Sequence, residues 1–202
     1  MCHIYRFLSG TEFTTVLQRA SRYEGEITCA GRNAAGIILG LHGLRCGEVC
    51  GLKVGDLDAA QGAVFIATLK KGRRRAVEIE PRLACWLTRL ARGASAASPL
   101  LRTGNGHPMD TSHFRRAWHR LSTRWLGRVI NFHALRHTAA QRLYELTRDI
   151  LAVQRFLGHK SLSSTQVYLS SGLALREYMP KLPDNSSFQP LLFETGFHHA
   201  AR

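Results

Sequence analysis

The segment FLGHKSLSSTQVYL, residues 156–169, sets a histidine, His159, nine residues before a tyrosine, Tyr168. Small hydroxyl residues and one lysine lie between them. A phenol titrates at about pH 10, so at neutral pH it is a poor nucleophile unless its proton is removed or its anion stabilised. A histidine brought to the same place can hydrogen-bond an anion or move that proton. An isolated tyrosine is ordinarily a core residue, so the segment acquires chemistry only if other groups converge on it.

Two further segments carry groups of the right kind. In LHGLRCGEV, Arg45 stands inside an otherwise apolar run. A charge there needs a partner, and Glu48, three residues on, can supply it from the same helix face. This is either an internal ion pair or an arginine aimed at phosphate and oriented by Glu48. In FHALRHTAA, His133, Arg136 and His137 stand at i, i+3 and i+4, so they can share a helix face. A zinc helix of the HExxH type needs Glu where Ala134 stands, which disfavours a metal. His133 with Arg136 suits a phosphate oxygen; His137, beside Ala139 and Ala140, reads as structural.

The composition points to a polyanion. The chain of 202 residues holds 28 Lys+Arg against 14 Asp+Glu, a net charge of +14, which favours nucleic acid. No acid occurs from Pro81 to Met109, or from Thr111 to Tyr144, where Arg115 and Arg116 fall. A third basic cluster is KKGRRR: Lys70, Lys71, Arg73, Arg74 and Arg75. Arginine dominates these runs, and its planar fork matches phosphate oxygens. No carboxylate cluster suggests a metal-dependent nuclease. The five cysteines form no CxxC pair, so Cys46 and Cys50, four residues apart, read as buried reduced thiols. The apolar run AAGIILGL is too short to cross a membrane. A cytoplasmic, DNA-associated protein is expected.

The elements that must position these groups follow from periodicity and caps. FLSGTEFTTVLQRA predicts a helix capped by Ser9 or Thr11, with Phe13, Val16, Leu17 and Ala20 inward. GRNAAGIILGLHGLRCGEVCGL predicts one or two buried helices, and VGDLDAAQG a loop. AVFIATL and RRAVEIE around Lys70–Arg73 predict a β-hairpin. PRLACWLTRLARG predicts a helix begun by Pro81 and closed by Gly93. TSHFRRAWHRLSTRWL predicts an amphipathic helix with Phe114, Trp118, Leu121 and Trp125 on one side. HALRHTAAQRLYEL, DILAVQRFL and SSTQVYLS predict three more. Gly158 stops the second, and Ser163 or Ser164 caps the third. The expected fold class is mainly α with a small antiparallel sheet (α+β).

Taken together, GLRCGEV, HALRH, LGHKSL and STQVY resemble the tyrosine recombinase (phage integrase) family in order and rough spacing. The resemblance covers residues 7–178. One such motif is weak evidence; four in register are specific. It implies the catalytic-domain fold of that family. It implies that Arg45, His133, Arg136 and His159 surround a scissile DNA phosphate, with Glu48 supporting and Tyr168 as nucleophile. A hairpin pattern such as TKTGKSRRVPL, laid without gaps on LKKGRRRAVEI, puts the catalytic lysine at Lys70; Lys71 is the alternative after a one-residue slip. Glu78 stands where a proline is common in the family.

The implied activity is site-specific cutting and rejoining of DNA through a 3′-phosphotyrosyl link, with no metal, ATP or other cofactor. The implied partners are duplex DNA, further copies of the chain (a dimer or tetramer on DNA) and an accessory DNA-bending protein. A bacterial, phage or mobile-element origin goes with the family. A non-catalytic DNA-binding relic, or a type IB topoisomerase-like relaxing enzyme, would share most of these groups. Only six residues precede FLSGTEF, where the family's catalytic domain begins. Residues 1–179 are therefore expected to be a catalytic domain without the family's N-terminal core-binding domain. Short fimbrial phase-variation invertases, which also carry LKKG, are similar; a truncated integrase is the alternative. Such half a clamp neutralises few phosphates and should bind weakly and with steep salt dependence. Residues 180–202, with three prolines after a polar shift, are expected to be a tail that docks on a neighbouring subunit or packs on its own domain.

Overall fold

Ser9 starts the first helix as a capping box: its Oγ accepts the backbone N–H of Glu12, whose carboxylate accepts the N–H of Ser9 at 2.8 Å. In this computed structural model residues 7–67, 74–157 and 181 are described. Helix α1 (Gly10–Ser21) buries Phe13, Val16, Leu17 and Ala20. Thr28 caps α2 (Cys29–Leu41), which is buried continuously from Ala34 to Leu41 and forms the centre of the core. An apolar helix with no polar stripe has to be surrounded, and α1, α4 (Pro81–Ala91), α5 (Thr111–Leu126) and α6 (His133–Thr147) surround it.

Gly36 and Gly40 let the neighbours come close. A Cβ at Gly36 would lie 2.6 Å from the Phe114 ring, and one at Gly40 would lie 2.7 Å from the Phe132 ring. Both rings therefore rest on the backbone of α2. Phe132 immediately precedes α6 (His133–Thr147), so this contact seats the HALR segment on the helix that leads into GLR.

The sheet has three antiparallel strands in the order β1 (Leu57–Asp58), β2 (Ala63–Ala67), β3 (Arg74–Glu78). Val64 pairs with Leu57 on one side and Val77 on the other. The hairpin reading holds, and its last described pair is Ala67 with Arg74. The VGDLDAAQG segment departs from expectation: it holds a 3-10 turn, Val54–Asp56, and strand β1 rather than a plain loop. Two residues are too few to show a period of their own; pairing with β2 makes them a strand.

Helix α4 (Pro81–Ala91) begins at Pro81, and Gly93 follows it in the left-handed region at φ +73°. Asp110 caps α5 (Thr111–Leu126), accepting the N–H groups of Ser112 and His113 at 2.9 Å each. Phe114 and Trp118 of α5 are buried, with Leu121 and Trp125 packed at the core margin. Helices α6 and α7 (Ile150–Leu157) share a second apolar cluster, including Leu143, Val153 and Phe156. The observed class is the expected one, mainly helical with a small antiparallel sheet. Among the described residues no helix is long and apolar enough to cross a membrane. Cys46 and Cys50 are buried free thiols, as expected.

His42, which closes α2, is fully buried. Its Nδ1 lies 2.9 Å from the Ile38 carbonyl, and Nε2 has no partner among the described residues. Burial pushes its pKa down from 6.5 to about 4, with the Ile38 bond offsetting part of the shift. The unfolded chain takes up this proton below about pH 6.5, while the fold resists it until about pH 4. Stability therefore rises with pH through this window and is fully present above it. The shift corresponds to roughly 3 kcal/mol at about 1.4 kcal/mol per unit. Denaturant titrations at pH 7 and 4.5 should show a smaller acid loss in His42→Leu than in wild type. Equal losses would remove His42 as the cause.

Candidate active site

The GLR segment turns sharply before α3 (Cys46–Gly51). Gly43 has φ +86°, and a Cβ there would meet the Phe156 ring at 2.7 Å. Both the left-handed backbone and the close ring call for glycine. Arg45 then takes the N-cap position of α3 with extended backbone, φ −76° and ψ 155°. Glu48, at the third helical position, reaches back: one carboxylate oxygen accepts the Arg45 N–H at 2.7 Å and the other accepts Arg45 Nη1 at 2.9 Å. The pairing expected from the sequence is present, but its setting is different. Arg45 does not lie inside the apolar run; its side chain is 45% exposed. Extended geometry at the cap points it outward while Leu44 and Cys46 point inward.

Glu48 is a meeting point. Its Oε2 also accepts Arg75 Nη2 at 2.7 Å, and Arg136 Nη1 stands 3.8 Å away. Arg75 comes from β3 and Arg136 from α6. Arg136 is only 1% exposed. Its guanidinium donates to the Gly43 carbonyl through Nη1 and to the Leu157 carbonyl through Nη2. One buried cation thereby joins the GLR turn, the HALR helix and the end of α7, segments 93 and 21 residues away from it.

Three guanidiniums face one carboxylate, so this cluster of four carries three positive charges and one negative, a net of two positive. Burial tends to raise the Glu48 carboxyl, but the Arg45 N–H and the Arg75 charge outweigh it and hold the group below the usual carboxylate range. Arg136 is drawn down to about 10 by burial first and by the Arg45 charge second, against the opposing pull of Glu48. It stays protonated at neutral pH. Such a cluster is relieved by an anion at its exposed edge, where Arg45 stands.

The other candidates are distributed around this centre. His133 is the first residue of α6 and is exposed; its N–H donates to Asn131 Oδ1 at 3.0 Å. Its ring meets His137 edge-on at 4.3 Å, and His137 in turn meets Phe7. Arg136 turns into the core because the Gly43 and Leu157 carbonyls receive it there. Arg115 and Arg116 are exposed on α5. A hydrogen bond with Cys50 is the main cause that lowers the Cys46 thiol to about 7, and Arg115 contributes, which puts Arg115 next to the first turn of α3. Arg74 pairs with Asp56 and lies over the Phe65 ring. Lys70, Lys71, Arg73, His159 and Tyr168 lie outside the described residues, although the Leu157 carbonyl held by Arg136 is two residues before His159.

Arg75 is the group whose place sequence reasoning missed. It was expected on DNA, yet its side chain is 14% exposed and points at Glu48. A signal existed: residues two apart in a strand share a face, and Val77 is buried.

Residues 7–172 match the phage integrase family. The chain is 33% identical over 131 residues to tyrosine recombinase XerC of Pseudomonas entomophila, covering 62% of this chain and 43% of that protein. It is 34% identical over 129 residues to tyrosine recombinase XerA of Thermococcus kodakarensis, covering 62% and 46%. It thus spans less than half the length of either relative. The fold is similar to the crystal structure of XerA recombinase, with a TM-score of 0.67 at 23% identity over 81% of this chain and 58% of that one. It is also similar to XerH site-specific recombinase bound to its difH substrate, with a TM-score of 0.66 at 24% identity over 78% and 48%. With the family match running from Phe7 to Gly172 and the fold in agreement, this chain belongs to the phage integrase family.

Proposed function

We propose that the chain cuts and rejoins DNA strands as a site-specific recombinase, with Tyr168 forming a 3′-phosphotyrosyl link. The observation that carries this reading is the arginine cluster: Arg45 and Arg136 from two distant motifs converge on Glu48 with two positive charges in excess. Attack on a phosphodiester loads negative charge on two non-bridging oxygens. Arg45 and Arg136 donate forked hydrogen bonds to them, and these strengthen as charge develops, which lowers the barrier rather than only binding substrate. His159 adds a further bond. His133, exposed at the start of α6, exchanges the proton of the Tyr168 hydroxyl. Lys70, or Lys71 after a one-residue slip, gives a proton to the departing 5′-oxygen. The phosphotyrosyl bond then conserves the strand until another 5′-hydroxyl attacks, so joining is the reverse of cutting. The arginines supply the charge that a metal would otherwise provide.

Arg73, Arg74, Arg115 and Arg116 serve the duplex backbone in this reading, and the acid-free α5 surface supports it. Duplex DNA as partner is further supported by likeness to XerH, whose structure holds its difH substrate. Residues 1–179 act as the catalytic domain, further copies assemble on DNA with an accessory bending protein, and residues 180–202 dock between copies. The protein works where DNA is, in the cytoplasm of a bacterial or phage-infected cell.

The test is covalent capture. The full chain is incubated with a randomised pool of nicked linear duplexes, in which the released fragment diffuses away and the link is trapped. The expected product has the protein on a 3′ phosphate and a free 5′-hydroxyl, with Tyr168 in the DNA-bearing peptide. Absence of adduct across the pool would leave a DNA-binding relic instead. Adducts accompanied only by plasmid relaxation, without recombinant products, would select a topoisomerase-like enzyme.

A further inference from the structure

Arg75 has no part in the reaction scheme above, yet it is built into the centre of the site. It lies on β3 opposite Ile66, at the described end of the hairpin that carries Lys70 and Lys71. Its Nη2 is 2.7 Å from Glu48 Oε2, and its Nη1 is 3.5 Å from the Phe156 carbonyl, at the outer limit of a hydrogen bond. It therefore connects three things: the lysine hairpin, the carboxylate that orients Arg45, and the last turn of α7 before His159. Its neighbour Arg74 pairs with Asp56 from a side chain that is 48% exposed, whereas Arg75, 14% exposed, directs its fork inward to Glu48.

We infer that Arg75 is a positioning residue for strand transfer, holding Glu48 Oε2 away from Arg136 and tying strand β3 to the end of α7. The inference rests on the recombinase reading. Its physical basis is competition for one carboxylate. Glu48 Oε1 takes Arg45 Nη1, while Oε2 takes Arg75 and stands 3.8 Å from Arg136. Without the Arg75 charge, and with Arg45 Nη1 already on Oε1, the guanidinium left facing Oε2 is that of Arg136. A contact 3.8 Å long closes to a direct salt bridge by a movement of about 1 Å. That movement draws a guanidinium off the line to the substrate phosphate, and misplacement on this scale costs about a hundredfold in rate.

The experiment compares wild type, Arg75→Gln and Arg75→Lys in the full chain, on a nicked duplex selected by wild-type capture. Single-turnover adduct formation at saturating protein is measured beside duplex affinity at several salt concentrations. Arg75→Gln is expected to form adduct about tenfold to a hundredfold more slowly, with affinity and salt dependence unchanged. Arg75→Lys keeps the charge but loses the fork, and is expected to recover part of the rate. An unchanged rate with weaker binding, and a salt slope reduced by about one, would make Arg75 a phosphate contact and overturn the inference. Equal slowing in both variants, with a lowered melting temperature, would reduce it to a fold residue and do the same. If wild type itself forms no adduct, the recombinase reading falls and this role falls with it. If wild type reacts and Arg75→Gln matches it, only the Arg75 assignment fails.

Discussion

Tyr168→Phe is expected to bind duplex DNA as wild type does and to form no covalent adduct with it. The substitution removes one oxygen and nothing else, so the ring keeps whatever packing it has. If that oxygen is the nucleophile, no partial activity is left, because neither the arginines nor the histidines can make the phosphotyrosyl bond. Loss of a covalent nucleophile ordinarily costs far more than loss of a group that assists it; a fall of about a thousandfold or more is expected here. Gel mobility under denaturing conditions reads the adduct, and native mobility reads binding. Adduct that persists in Tyr168→Phe would move the nucleophile to another side chain. Binding lost together with cleavage would mean that the hydroxyl serves the duplex rather than the reaction.

Replacement of Arg136 is the second large effect. Arg136→Lys is expected to slow adduct formation by about a hundredfold to a thousandfold, the usual cost of losing one donor to a developing oxyanion. Lysine keeps the positive charge, so duplex affinity should change little. It lacks the planar fork that binds the Gly43 and Leu157 carbonyls together. A lysine ammonium reaches one of the two and leaves the other short of a donor, a cost of about 1–3 kcal/mol for a buried group. A lowered melting temperature should therefore accompany the slower reaction. Arg136→Ala removes both bonds and the charge, and should lose more stability than Arg136→Lys. Single-turnover rates and thermal melts on the same preparations separate the two contributions. An Arg136→Lys chain that cuts at the wild-type rate would exclude a forked contact with the phosphate. A chain that melts as wild type would exclude Arg136 as the staple of the three motif segments.

Most helices of this protein are legible in its sequence because their causes are local. Ser9 with Glu12, Thr28, Glu80 and Asp110 mark helix starts through bonds spanning two or three residues, and Pro81 marks one through its fixed φ. The apolar faces repeat at helical spacing, and the hairpin runs AVFIATL and RRAVEIE carry the β-branched and aromatic residues of strands. The motif residues are likewise visible by type and spacing, which is why Arg45, Glu48, His133 and Arg136 could be singled out from the sequence alone. Strand β1 was not visible, since two residues become a strand only when β2 lies beside them.

How the candidates meet was decided by the tertiary structure. Arg45 was expected among apolar neighbours and stands exposed, because the chain reaches the N-cap of α3 there and an extended residue at a cap projects outward. The buried cation is Arg136 instead, held by carbonyls that long-range packing delivers: Gly43 by the glycine-lined seat of Phe132 on α2, and Leu157 by the apolar cluster of α6 and α7. Arg75 was read as part of a basic run, and the strand's alternation with the burial of Val77 turned it onto Glu48. Residue types and spacing determined which groups this chain has for work on a phosphate. Only the packing of α2, α3, α6, α7 and β3 decided which of them share one carboxylate, because that depends on contacts between residues far apart in sequence, which no local period records.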